Sequence, residues 1–205
     1  MVEQGDADAF ITGLYTKYSN TIKVAKDVIG IREGYNTFGT MHILNTQKGI
    51  FYIADTLINR HPDQDVLVDI AKLSAGTVKF FNEEPVMAML SYSNFGTDAQ
   101  GSPVKVKNAV DAMQKEFPDL AIDGEMQVNY ALNKQLRDEK YPFSRLKGKD
   151  VNTLVFPNLS SANGAYKLLQ ALSPEAEIIG PIQMGLNKPI PVSYTHLTLP
   201  TSDLV

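Results

Sequence analysis

Hydrophobic positions repeat along the chain with two alternating periods. Residues 8–14, from Asp8 to Leu14, form a short apolar run of strand length. Residues 17–29 follow as a helix with Ile22, Ala25, Val28 and Ile29 on one side, and Gly30 is its stop. Residues 35–45 and 49–54 read as two β segments, and Asn45-Thr46-Gln47-Lys48-Gly49 between them is a turn composition, which predicts a hairpin. Pro62-Asp63 opens the longest helix, in which Val66, Ile70, Leu73, Thr77 and Phe80 recur in steps of four and three, the spacing of one buried face. Glu84-Pro85 breaks it, and Val86 to Leu90 is the continuous apolar run expected of a central parallel strand.

Pro103 suits the first turn of a further helix, with Ser102 as cap and Val106, Val110, Met113 and Phe117 turned inward. Leu120-Ala121-Ile122 reads as a brief strand, and Met126 to about Lys140 as a helix that Pro142 ends. Thr153 to Phe156 is another buried strand. Ser160 or Ser161 caps a helix carrying Ala162, Ala165, Leu169 and Leu172, and Glu177-Ile178-Ile179 is a strand that stops before Gly180-Pro181. Strand and helix alternate, which predicts an α/β fold with a largely parallel sheet. Ligands of such sheets bind beyond the carboxyl ends of the strands. That rule singles out the loops Ser91–Ser102, Asp123–Met126 and Pro157–Ser161. The chain after about residue 192 has no amphipathic period, is read as a tail derived from a cloning adapter, and is set aside from fold reasoning.

Composition narrows the chemistry. With 205 residues, 43% hydrophobic and 20% charged, the chain can bury a core without staples. The absence of cysteine removes thiol nucleophiles, Cys-ligated zinc, iron–sulfur clusters and disulfides, and it fits a reducing cytosol. His42, His61 and His196 are the only histidines and show no HxxxH spacing, which argues against a His-rich metal site. A net charge of −4 speaks against a nucleic-acid partner. No run of 18 apolar residues occurs, so no membrane partner is expected. The polar, acidic start lacks the features of a secretory signal, and the expected compartment is the cytoplasm.

Three segments carry candidate chemistry. In Leu90-Ser91-Tyr92-Ser93-Asn94-Phe95-Gly96-Thr97 a buried strand ends in hydroxyls, an amide and a glycine, followed by a helix start. Such a loop can hold a phosphoryl or carboxylate group, or its serines can simply cap their own backbone, the commoner arrangement on composition alone. In Asp123-Gly124-Glu125-Met126 a strand end presents two carboxylates. They serve either as an acid/base pair or, more commonly, as helix N-terminal acids that offset the macrodipole. Phe156-Pro157-Asn158-Leu159-Ser160-Ser161 places Asn and Ser where caps are expected and a ligand role is possible. Thr21 and Lys23 near a helix start could meet a phosphate, with a solvated lysine as the plain alternative.

Taken in order, the motifs resemble one family. Gly5-Asp6-Ala7-Asp8-Ala9-Phe10-Ile11-Thr12-Gly13, Ile53-Ala54-Asp55-Thr56, Met89 to Gly96, Asp123 to Met126, Leu154 to Leu159 and Gly180-Pro181-Ile182-Gln183-Met184-Gly185-Leu186-Asn187-Lys188-Pro189 are similar to the phosphate acetyl/butyryltransferase family. The spellings Gly-Asp-Ala-Asp-Ala, Ser-Asn-Phe-Gly and Asp-Gly-Glu-Met resemble the domain of that type fused behind bacterial NADP-dependent malic enzymes. The resemblance implies a three-layer fold like that of isocitrate and isopropylmalate dehydrogenases. Residues 1–29 would be the remnant of an incomplete first domain, 30–180 an inserted second α/β domain, and 181–191 the start of the return to the first. It implies acetyl-CoA, CoA or an acyl phosphate as ligand, met by Thr21, Lys23, Ser91, Ser93, Asn94, Gly96, Asn158, Gly180 and Pro181, and a homodimer or higher oligomer. Lys23 stands where active transferases carry arginine, keeping the charge but not the bidentate hydrogen bonding. The Ser-Arg pair and Asp of active members are not matched, so no catalytic residue is assigned and this stretch alone is expected to be inactive. NADP and a divalent metal would belong to the malic-enzyme half. The two functional readings are an acetyl-CoA-responsive regulatory domain and a working phosphate acyltransferase.

Overall fold

The computed structural model describes residues 1–8, 18–173 and 175–188. The predicted strand at 8–14, apart from Asp8, and the tail from 192 lie outside the described residues. The chain divides into two compact units, Met1–Tyr35 with Gly185–Val205, and Asn36–Met184.

In the first unit, α1 spans Tyr18–Ile29. Ile22 and Ala25 are buried, as their spacing predicts. Val28 does not join them: it lies about 120° around the helix from Ile22 and is 52% exposed. Gly30 ends the helix, its N–H donating to the Lys26 carbonyl at 3.1 Å with φ of +78°. Ile31 then bridges Leu186, and the Arg32 N–H donates to the Gly185 carbonyl at 2.8 Å.

In the second unit, β1 (Gly39–Thr46) and β2 (Gly49–Ala54) form the predicted hairpin, with Thr46 opposite Gly49. There follow α2 (Gln64–Phe80), β3 (Val86–Leu90), α3 (Ser102–Glu116), β4 (Ala121–Met126), α4 (Val128–Leu132), α5 (Lys134–Lys140), β5 (Thr153–Val155), α6 (Leu159–Leu172) and β6 (Glu177–Met184). The strands lie in the order β4-β3-β5-β2-β1-β6. β4, β3, β5 and β2 pair in parallel, whereas β1 is antiparallel to both β2 and β6. The sheet is therefore mixed rather than simply parallel. The tight hairpin forces β1 to reverse, because two residues can join only antiparallel strands. Leu44, Ile53, Ala88, Leu90, Met126, Leu146, Leu154 and Tyr166 belong to one buried cluster across it. Each large side chain there stabilises the fold by roughly 1.5–3 kcal/mol.

Several predicted details are corrected. In α2 the buried stripe runs through Leu67, Ile70, Ala71, Ser74 and Val78, and Phe80 is 80% exposed because it lies about 160° around the helix from Val78. Gly101, not Ser102, occupies the N-cap of α3 and supplies no side-chain bond, while Phe117 at the C-cap is partly exposed. The expected loop Asp123–Met126 is the last four residues of β4 and is buried throughout, since Asp123 and Glu125 find partners inside the unit. The stretch 126–140 is two helices. Asn133 leaves helical geometry and accepts the Leu136 N–H at 3.0 Å, capping α5. Asn158 rather than either serine caps α6. Leu169 and Leu172 of that helix are exposed, the inward side being Ala162 and Tyr166. β6 does not stop at Ile179 but continues through Gly180-Pro181 to Met184 alongside β1, with an irregularity between Met41 and Ile43. Pro181 fits because β6 is an edge strand. Among the described residues, no helix is long and apolar enough to cross a membrane.

Candidate functional site

β2, β3, β4 and β5 point the same way, so the segments that follow them gather along one edge of the sheet. These are residues 55–63, 91–101, 127 and 156–158. Three buried carboxylates and one lysine organise this edge.

The first organiser is Glu125, which is fully buried. Its Oε1 accepts the Gly96 N–H at 2.6 Å and the Ser93 hydroxyl at 3.2 Å, and its carbonyl accepts the Phe95 N–H at 2.8 Å. The Ser91–Thr97 loop thus wraps the end of β4. Inside the loop, Ser93 Oγ lies 2.8 Å from Thr97 Oγ1 and accepts the Asp98 N–H at 3.0 Å. Asn94 Oδ1 accepts the Gln127 N–H at 2.9 Å, at the start of α4. The Tyr92 hydroxyl donates to Asp98 at 2.8 Å, and that bond is the leading cause of the raised phenol pKa.

Asp123, the second carboxylate, holds a different segment. Its Oδ2 accepts the Ser144 hydroxyl at 2.7 Å and the Arg145 N–H at 2.8 Å, and its Oδ1 accepts Gln114 Nε2 at 3.2 Å. The two acids of the Asp-Gly-Glu motif are therefore anchors for two segments, not acids at a helix start. The glycine between them is obligatory. Its φ is +146°, and a Cβ there would lie 2.5 Å from the Met89 carbonyl oxygen of β3.

The third carboxylate is Asp55. Oδ1 accepts the Thr40 N–H and hydroxyl at 3.0 and 2.8 Å and the Leu57 and Ile58 N–H groups at 3.2 and 3.3 Å. Oδ2 accepts both the backbone and side-chain N–H of Asn59 at 2.7 Å. Beside it, Thr56 Oγ1 meets His42 Nδ1 at 2.8 Å. Burial, helped by the charge of Lys167, lowers the His42 pKa to about 4, so the ring is neutral at physiological pH.

Lys105 in α3 completes the edge. Its ammonium donates to the Pro62 carbonyl at 2.7 Å and the Pro157 carbonyl at 3.0 Å, tying the segment after β2 to the one after β5. Burial lowers its pKa, partly offset by Asp63. Next to it, Asn158 Oδ1 accepts the Ser161 N–H at 3.0 Å.

The predicted site residues fall into separate groups. Ser91, Ser93, Asn94 and Gly96 share the Glu125 loop, with Ser93 and Asn94 buried and Gly96 exposed. Asn158 stands on the same sheet edge. Gly180 and Pro181 lie on β6, with β5, β2 and β1 between them and β3, roughly 19 Å away at the usual strand spacing. Thr21, buried, and Lys23, exposed, belong to the first unit. Among the described residues, no group of His, Asp and Glu is arranged to hold a metal ion.

The phosphate acetyl/butaryl transferase family model matches residues 1–194. The chain belongs to this family. It is 41% identical over 94% of its length to the NADP-dependent malic enzyme of Escherichia coli, of which it spans 25%. It is 36% identical over 93% of its length to the phosphate acetyltransferase of Bacillus subtilis, of which it spans 58%. The crystal structure of a phosphotransacetylase from Streptococcus pyogenes superposes with a TM-score of 0.87 at 34% identity, covering 94% of this chain and 59% of that one. The family resemblance read from the motifs thus holds.

Within this family chain, four organising roles were not legible from sequence. Glu125 and Asp123 were visible only as a carboxylate pair, and Asp55 only as part of a motif. Lys105 gave no signal, because a lysine in the first turn of a helix is ordinarily solvated.

Proposed function

We propose that this chain is part of the C-terminal region of a fused malic enzyme, where it binds acetyl-CoA and biases the attached oxidative decarboxylation. The observation that carries this reading is the 41% identity to the Escherichia coli malic enzyme, against 36% for the Bacillus subtilis phosphate acetyltransferase, while some other malic enzymes match at 32–36%. Lys23 at the position of an expected arginine supports it, because lysine cannot clamp a phosphate bidentately. The ligand would be met by the Ser91–Thr97 loop and Asn158, which follow β3 and β5 in the second unit. Acetyl-CoA then acts through a coupling free energy between two sites. NADP and a divalent metal would serve the malic-enzyme half, in a cytoplasmic homodimer or higher oligomer.

A second reading rests on the phosphotransacetylase fold, matched at a TM-score of 0.87. In it the full-length protein exchanges an acetyl group between CoA and phosphate. One experiment separates the two: the full-length gene product is assayed for NADP-dependent malate oxidation with and without acetyl-CoA, and for acetyl phosphate formation from acetyl-CoA and phosphate. An acetyl-CoA-dependent change in malate oxidation without acetyl phosphate formation supports the first reading. Steady acetyl phosphate turnover with no malate oxidation overturns it in favour of the second.

A further inference from the structure

We infer that Glu125 is a positioning residue: it clamps the Ser91–Thr97 loop in the shape that receives the acyl-phosphate or CoA ligand, and handles no proton of a reaction. The inference rests on the ligand reading of that loop given above, and it names what holds the loop in register.

The ground is geometric. Both bonds to the Glu125 carboxylate come from the loop, from the Gly96 N–H at 2.6 Å and the Ser93 hydroxyl at 3.2 Å, and its own carbonyl takes the Phe95 N–H. A bond from a backbone N–H to a charged carboxylate is among the stronger kinds. Phe95 and Gly96 carry φ values of +48° and +85°. A non-glycine residue in that region persists only where its surroundings hold it, and Phe95 is held by the main-chain carbonyl of Glu125 and by ring contacts with Tyr141 and Phe143.

Burial separates a clamp from an acid or base, and the second carboxylate oxygen shows what the loop bonds offset. Glu125 is fully buried, so no substrate atom can reach it without displacing the loop. Among the described residues, its Oε2 has no hydrogen-bond partner. An unpartnered carboxylate oxygen in the interior is costly, and the loop donors on Oε1 are what offset that cost. Releasing them would free the loop and expose the acid together.

The test uses full-length gene product carrying Glu125→Gln, Glu125→Ala or Ser93→Ala. Hydrogen exchange is read over residues 93–98 and over β3 and β5, and the acetyl-CoA dissociation constant is measured alongside. Glu125→Gln is expected to leave β3 and β5 protected while exchange over 93–98 and the dissociation constant each rise roughly tenfold. Glu125→Ala should raise both further, so that Gln restores part of what Ala loses, and Ser93→Ala should move both in the same direction by less. Should Glu125→Ala not fold, the other two variants decide. Wild-type exchange over 93–98 in Glu125→Gln overturns the clamp. A loosened loop with an unchanged dissociation constant overturns its link to the ligand. Wild-type protein that fails to bind acetyl-CoA overturns the ligand reading, while the exchange comparison still judges the clamp separately.

Discussion

His42 lies flat against Tyr166, with ring centroids 4.2 Å apart and planes 16° from parallel. The neighbouring Lys167 ammonium sits 5.3 Å from the Tyr166 ring centroid. The stack buries His42 in its neutral form and joins α6 to β1. Its folded pKa, about 4, lies below the usual histidine value of 6.5. Between these values the unfolded chain binds a proton that the folded chain refuses, so stability falls as pH drops from about 6.5 to about 4. The contribution is complete above pH 6.5 and amounts to at most about 3 kcal/mol. Urea titrations across this window are expected to show the loss, and His42→Gln should flatten it. An equal slope in both proteins would remove His42 as the cause.

Gly124→Ala is expected to destabilise the second unit by roughly 2–4 kcal/mol, since the added carbon meets the Met89 carbonyl and the backbone sits at positive φ. Gly164, in α6, has open space where a Cβ would stand. Gly164→Ala is expected to be neutral or stabilising by about 0.5–1 kcal/mol. Denaturant midpoints of the two variants moving together would contradict the close approach of β3 and β4.

The outline of the sheet was legible because each strand carries its own signal. Val86 to Leu90 is apolar throughout, and a turn composition separates β1 from β2. What stayed hidden depended on partners distant in sequence. β4 runs on through Asp123 and Glu125 because Ser144, Arg145, Ser93 and Gly96 satisfy its acids, and no local pattern announces those partners. β6 passes through Gly180-Pro181 for a related reason. A proline normally ends a strand, and only the sheet order shows that β6 lies at an edge. The family was read from six short motifs in order, whereas the work of each acid within them became visible only in three dimensions.

Asn158→Ala tests whether the cap of α6 is the main task of that residue. Losing the bond to the Ser161 N–H should cost about 1 kcal/mol, and Asn158→Ser should recover most of it. Acetyl-CoA affinity that falls in the serine variant despite restored stability would assign the amide a ligand contact as well.

Lys105→Met removes the two bonds that join Pro62 to Pro157 while keeping most of the side-chain bulk. The expected cost is about 1–3 kcal/mol, with faster hydrogen exchange over residues 57–62 and 156–161 and little change in β3. Uniformly faster exchange across the whole sheet would instead make Lys105 a general core contact.

The most direct test is a calorimetric titration of the full-length gene product with acetyl-CoA. Saturable binding at one site per chain, weakened by Glu125→Gln, is the expected result. No binding heat, and no shift in thermal unfolding at high acetyl-CoA, would contradict the assignment of this sheet edge to an acyl-CoA ligand.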